Sequence, residues 1–338
     1  MNGKDKFLFI GPRNSKDGKT VGGIVVLFED WIDFVSGQEI GFEVVDTNKS
    51  NYRSIIIAYV SILHEIIKNG RNSKIMLHGT FKDYLYIGPI VCILSKVFGQ
   101  SYVLRKFAGN FKELYEKSNP IKRKLLSFVV KNAAISYWET RSITDWANKI
   151  YNNARWFPNV RNAASRNRGD RSYSRKFVFI SRVTQDKGID LLMEAFAKLG
   201  DDYSLDIYGP LDGYEPEMLA PYYKGILKPS EIINKLVDFD VMLLPTSWVG
   251  EGYPGIIIES LSAGLPVIAT SIGGISEIID SGYNGIIMRD NSADSLIEAI
   301  HKLEVSDYKA ISKNAIASFK NFDTKFVSCK VLGDIKNV

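Results

Sequence analysis

The sequence predicts an α/β protein made of two doubly wound parallel-sheet domains. Short apolar segments alternate with amphipathic ones along most of the chain, the pattern of parallel strands joined by crossover helices. The alternation breaks once, in the Ser-, Asn-, Gly- and Arg-rich residues 161–175, and resumes immediately afterwards. The 338 residues also exceed one domain of ~150 residues and suit two. The expected boundaries are a first domain over 1–160, a linker over 161–175, a second domain over 176–311 and a tail over 312–338.

In the first half, residues 6–11 form a short apolar strand closed by the Gly11-Pro12 turn. Gly22 and Gly23 precede an apolar-periodic helix over 24–35. A glycine pair there either admits a ligand to the backbone or makes a plain tight turn. Strands follow at 42–46, 74–78 and 101–105, with helices at 51–69 and 84–98 between them. A helix over 121–131, a strand over 134–138 and a helix over 141–151 complete this half. In the second half, strands are expected at 176–182, 204–209, 223–227, 240–244, 267–270 and 285–288. Its helices are 187–199, one capped by Ser230, and 293–303 capped by Ser292. The tail has too little apolar pattern to form a unit of its own.

Residues 245–266 carry the most chemistry. After the strand over 240–244, Gly250 and Gly252 free the backbone to turn, and Pro254 suits a first helical position. Ile256, Ile257, Ile258 and Leu261 continue the helix, and Gly264 with Pro266 ends it. Such a loop aims unpaired N–H groups and a positive dipole end at the strand–helix crevice, where a phosphate is favoured. Glu251 precedes the helix and Glu259 lies roughly 7.5 Å further along it. Ionised carboxylates only accept hydrogen bonds, so vicinal diols are their natural partners. A phosphate between two polyols outlines a nucleotide sugar.

These residues resemble the retaining glycosyltransferases of family 4. Glu251 and Glu259 reproduce that family's Glu-x7-Glu spacing, and the wording from Glu251 through Gly273, Gly274 and Glu277 is similar throughout. The resemblance spans nearly the whole chain, most specifically 178–290. It implies the GT-B architecture, two Rossmann-like domains facing a central cleft, with the acceptor side in the first domain and the donor bound by the second. It also implies that the tail crosses back to the first domain. The family's Gly-Arg-Leu…Lys-Gly phrase corresponds to Ser181-Arg182-Val183 and Lys187-Gly188, with Ser in place of Gly. Arg182 ends a strand and Lys187 opens the next helix, so both belong to the carboxyl edge of the sheet. There two cations can neutralise a departing diphosphate, and neither a metal nor another cofactor is expected.

By the same resemblance, Glu259 holds the ribose hydroxyls. Glu251 holds the donor sugar, with help from the loop Gly252, Tyr253, Pro254 and Gly255. Ile226 and Leu227 either line the base slot or belong to strand core. Tyr253 and Trp248 either stack on ligand or pack inside. Gly22 and Gly23 face the donor, Gly273, Gly274 and Glu277 are mainly structural, and the phrase from Phe157 to Arg161 is similar to the family's Pro-Asn-Gly at the domain junction. One departure is clear: Phe107 stands near the place of a His that many members carry. Only His64, His78 and His301 are present, and His78, at a strand end, reads as catalytic or as structural. Retention by a front-face mechanism, in which the leaving phosphate takes the acceptor proton, requires no protein base.

Composition narrows the setting. Hydrophobic residues make 45% and charged residues 24% of the chain, as in a globular protein. No apolar run reaches the ~18 residues of a membrane span, and the apolar start is too short for a secretory signal. Two cysteines, Cys92 and Cys329, indicate neither a disulfide framework nor a thiolate metal site. A cytoplasmic location is expected. The net charge is +5 without any nucleic-acid motif. Asp238 and Asp240 spell the Asp-x-Asp of a different glycosyltransferase fold but sit at a helix-to-strand junction. Lys117, Lys122, Arg123, Lys124 and Lys131 punctuate an apolar stretch, either as a solvated face or as a surface for anionic lipid. The expected activity is transfer from a nucleotide sugar to a glycan or lipid-linked acceptor at the inner face of a membrane, in polysaccharide assembly. The rivals are a catalytically silent partner of a transferase and a nucleotide-sugar epimerase on the same architecture.

Overall fold

A computed structural model describes residues 6–16, 23–107, 109–166, 169 and 171–338. Gly22 lies outside the described residues. The chain divides into two compact units, one of residues up to Asn159 together with Lys325–Val338 and one of Val160–Thr324.

The first unit alternates strand and helix: β1 Lys6–Gly11, α1 Gly23–Ser36, β2 Gly41–Asp46, α2 Ile55–Gly70, β3 Lys74–Gly79, α3 Phe81–Tyr86 and α4 Gly88–Phe98. It continues with β4 Tyr102–Lys106, α5 Phe111–Glu116, α6 Pro120–Asn132, β5 Ile135–Trp138, α7 Arg141–Tyr151 and β6 Ala154–Trp156. Its six strands run parallel in the order β2-β1-β3-β4-β5-β6.

The second unit contains β7 Lys176–Ile180, α8 Ile189–Leu199, β8 Ser204–Tyr208, α9 Pro229–Leu236, β9 Val241–Leu244 and α10 Gly255–Ser262. β10 Val267–Ala269, α11 Ile275–Ile278, β11 Gly285–Ile287, α12 Ala293–Glu304 and α13 Tyr308–Phe319 follow, and α14 Thr324–Lys336 closes the chain. Five parallel strands run in the order β11-β10-β9-β7-β8. Helices cover both faces of a doubly wound sheet, so its strands are near-continuous apolar runs; β9 is buried at all four positions. The chain leaves β7 towards β8 on one side and returns to β9 on the other. The strand order therefore reverses between β7 and β9, and the loops after these two strands border a crevice at the carboxyl edge.

Several expectations are corrected. The single helix over 84–98 is two, α3 and α4, because Pro89 starts a new first turn and Gly88 must stay bare. A Cβ at Gly88 would come within 2.8 Å of Val129 Cγ1. Residues 223–227 are not a strand: only Tyr223 bridges to β8, at Ile207. Ser230 lies inside α9, whose cap is Lys228, with the Glu231 carboxylate accepting the Lys228 N–H at 2.8 Å. α5, α11 and β6 are too short for their periodicity to be read from sequence.

The described residues of 161–175 group with the second unit rather than forming a free linker. The Asp240 carboxylate accepts the Ser174 N–H at 2.8 Å, the Ser174 hydroxyl at 3.0 Å and the Lys176 N–H at 2.8 Å. α13 also stays with that unit, through Tyr308 Oη donating to Asp240 O at 2.7 Å and Ser312 Oγ to Gly264 O at 2.6 Å. The return to the first unit comes at Lys325, later than residue 312. α14 buries Val327, Val331, Leu332 and Ile335 there, and Asp334 joins Tyr137 Oη at 2.9 Å and Arg155 Nη1 at 2.8 Å.

Candidate active site

The crevice after β7 and β9 holds a buried ion pair. Lys187 Nζ donates to Glu251 Oε1, and both side chains are only 7% exposed. Lys187 sits in a short 3-10 turn over Gln185–Lys187 rather than in α8 itself, because Gly188 turns the chain at φ +84° before the helix begins. A Cβ at Gly188 would lie 2.2 Å from Pro245 O, so the two loops can touch only through a glycine. Thr246 completes the contact. Its Oγ1 lies 3.1 Å from Asp186 O and 3.3 Å from Glu251 Oε1, and it accepts the Trp248 N–H at 3.2 Å. The Lys187 ammonium also stands 4.7 Å from the centroid of the Trp248 ring, which is 40% exposed.

Glu251 is held from behind by the glycine pair of the next crossover. Gly273 has φ +56° and its Cβ would fall 2.0 Å from Glu251 O, while Gly274 N donates to that same carbonyl at 3.3 Å. Tyr253 is buried, and its Oη donates to Glu277 Oε2 at 2.6 Å while the ring packs edge-on against Phe322. Its ring is packed inside, one of the two roles expected of it. Pro254 caps α10 instead of starting it, and Gly255 is the first helical residue. The first-turn N–H groups of α10 have no partner within the helix.

Glu259 has a partner that the sequence did not announce. Arg161 Nε donates to Glu259 Oε1 at 2.9 Å, with side chains 16% and 17% exposed. The guanidinium lies so close to the α10 entrance that a Cβ at Gly255 would meet Arg161 Nη2 at 1.9 Å. Arg161 is fixed by its backbone: its N–H donates to Phe322 O and its carbonyl accepts from Thr324 N, both at 3.0 Å. The only sequence signal was its place in the junction phrase.

Arg182 lies at the same edge, two residues beyond the end of β7. It is exposed and lines an adjoining groove with Asp186, Asp190, Asp212 and Tyr214. Ile226 is 68% exposed and Leu227 half-buried, just beyond the carboxyl end of β8 where Gly209 N donates to Gly225 O at 2.9 Å. Neither is strand core. Gly23 opens α1 in the first unit, where a Cβ would meet no atom of the described residues within 4 Å beyond its chain neighbours and the helix's own backbone. Asp240 is engaged by Ser174 and Lys176 as described above, and Asp238 pairs with Lys235 at 3.6 Å.

The first unit has its own buried charge cluster at the carboxyl edge. His78 is enclosed by Phe9, Phe28, Trp31 and Phe107, and burial, reinforced by Arg105, holds its pKa well below the ordinary range. Arg105 stacks 3.6 Å from the Phe157 centroid. Burial also lowers the Lys106 pKa to about 8, opposed by the charges of Glu139 and Asp83. His78 is thus fully buried among rings, as the structural alternative expects.

Residues 174–304 match the family profile described as Glycosyl transferases group 1. An uncharacterised glycosyltransferase of Methanocaldococcus jannaschii, MJ1178, is 24% identical over 236 residues, 68% of this chain and 62% of the relative. TuaC of Bacillus subtilis, provisionally named a teichuronic acid biosynthesis glycosyltransferase, is 31% identical over 132 residues, 38% of this chain and 32% of its own. The chain thus spans less than two thirds of either relative. Among solved structures, Anabaena HepE in complex with UDP superposes with a TM-score of 0.74 at 14% identity, over 98% of this chain and 100% of that one. A sucrose-phosphate synthase of Thermosynechococcus elongatus gives 0.73 at 13% identity, over 99% of each chain. The chain therefore has the fold of the GT-B glycosyltransferases, and its second unit carries the match to glycosyl transferases group 1.

Proposed function

We propose that the chain is a retaining glycosyltransferase moving a sugar from a nucleoside-diphosphate sugar to a glycan or lipid-linked acceptor in cell-surface polysaccharide assembly. The buried Lys187–Glu251 pair, set where the strand order reverses and beside the entrance of α10, carries this reading. A buried ammonium next to a helix N-terminus creates a positive field for a diphosphate. The free oxygen of Glu251 accepts donor-sugar hydroxyls, and Glu259, steadied by Arg161, accepts those of the ribose.

In the transfer, the bond from the anomeric carbon to the β-phosphate oxygen breaks and the acceptor oxygen bonds to that carbon on the same face. The acceptor proton passes to the departing phosphate, which leaves as the nucleoside diphosphate. Lys187, Arg182 and the α10 N–H groups meet its growing charge, in the place a divalent cation takes in other transferases. The HepE structures with UDP and with UDP-glucose make UDP-glucose the first donor to test. The names of TuaC and of the WcaL proteins, provisionally assigned to colanic acid biosynthesis, point to a polysaccharide acceptor.

The test is a panel of nucleotide sugars read by thermal shift, followed by transfer to extracted lipid-linked acceptor. A true donor at 100 times its dissociation constant stabilises the fold by about 2.7 kcal/mol. Transfer is expected from the native chain and absent from Glu251→Ala. Stabilisation by a nucleotide sugar without transfer to any acceptor fraction supports the silent partner, and donor conversion without acceptor supports the epimerase. Indifference to every nucleotide sugar refutes the proposal.

A further inference from the structure

The outer helical face of the first unit is apolar and basic at once. In α2, Ala58, Ile62, Ile66 and Gly70 face the unit's own core. A second stripe, Ile56, Val60, Leu63 and Ile67, recurs at i, i+4, i+7 and i+11, and is 76%, 62%, 38% and 49% exposed. One helix therefore presents two hydrophobic faces where the core needs one. The surface does not stop at α2. This helix packs on α4, which exposes Ile93 and Val97, and α4 packs on α6, which exposes Ile121 and Phe128. Lys96 Nζ lies 5.0 Å from the Phe128 centroid and ties the last two helices together.

Single exposed apolar residues are ordinary, whereas a contiguous patch over three helices marks a partner. Charge selects which one. α2, α4 and α6 together carry Lys68, Lys96, Lys122, Arg123, Lys124 and Lys131 against one acid, Glu65. A second copy docking on this face would bring like charges together. An anionic bilayer accommodates both features: aliphatic side chains enter the boundary between headgroups and acyl chains, and the bases meet lipid phosphates. We infer that the α2–α4–α6 face is the surface by which this chain lies on an anionic membrane, with the stripe from Ile56 to Ile67 as its inserted edge. The inference stands on this surface alone and does not require the transferase reading.

Co-sedimentation of the full chain with vesicles tests it, using phosphatidylcholine alone and phosphatidylcholine mixed with phosphatidylglycerol. Binding to the mixed vesicles only is expected, weakening as salt rises. Replacing the stripe by Ile56→Ser, Val60→Ser and Ile67→Ser together lowers that binding at least roughly tenfold. Lys122→Glu with Lys124→Glu lowers it by a similar factor of roughly ten or more. All five positions are exposed, and unchanged thermal unfolding of both variants establishes that they fold. Equal binding to both vesicle types, or binding indifferent to both variants, overturns the inference. So does a dimer in light scattering that the serine variant disperses while no vesicle binding is seen. Nucleotide-sugar stabilisation measured on the same variants keeps this outcome separate from that of the proposed activity.

Discussion

Lys187 and Glu251 are each costly to bury alone, and both lie on loops brought close together at Gly188 and Gly273. Removing one partner leaves an uncompensated charge, whereas replacing both by apolar groups removes the problem. Lys187→Met and Glu251→Gln should therefore each cost about 3–5 kcal/mol of stability in denaturant titrations, the range for a broken buried pair. The double change Lys187→Met with Glu251→Leu should recover most of that loss while transfer stays abolished. Recovery of activity along with stability would show that the pair serves only the fold. Both residues were legible in the sequence because their motifs are local. Arg161 was not, since its partner Glu259 lies 98 positions away and only folding brings the guanidinium to the entrance of α10. Of the two roles expected of Ile226 and Leu227, strand core is the one that fails: an apolar pair after a glycine reads as strand, but their surroundings leave them uncovered or half-covered.

Among the elements, those with strong local signals lie where the sequence placed them. α12 is one: Ser292 Oγ accepts the Ser295 N–H at 3.1 Å, the bond that an N-cap serine supplies. Ser292→Ala should cost about 1 kcal/mol. Ser230→Ala should stay within about 0.5 kcal/mol, because Ser230 is an exposed residue inside α9 and not its cap. Paired equilibrium unfolding curves check the contrast, and equal losses would contradict the cap assignments. The division of one long helix into α3 and α4 was hidden because it depends on Val129 of α6, which packs against Gly88. A pattern of spacing cannot report a neighbour from another helix.

At the scale of the whole molecule, α14 belongs to the first unit although it lies far from the rest of that unit in sequence. α14 covers apolar surface with Val327, Val331, Leu332 and Ile335 and anchors Asp334 on Tyr137 and Arg155. Deleting residues 325–338 should destabilise that unit by more than roughly 3 kcal/mol, given the apolar area uncovered. Hydrogen exchange should show protection falling in β5 and β6 while β7 and β9 keep theirs. A uniform loss across both sheets would mean that the two units unfold as one.

The α/β class, the two runs of alternation, the loop before α10 and its two glutamates follow from residue order alone, because each rests on spacing within a few turns of chain. Tertiary structure decided the rest: that the strand order reverses between β7 and β9, that Lys187 closes on Glu251, that Arg161 reaches Glu259, and that Lys325 rather than residue 312 begins the return. Strand order, buried charge pairs and the docking of a terminal helix are settled by which distant groups can share a dry space, and no local pattern records that.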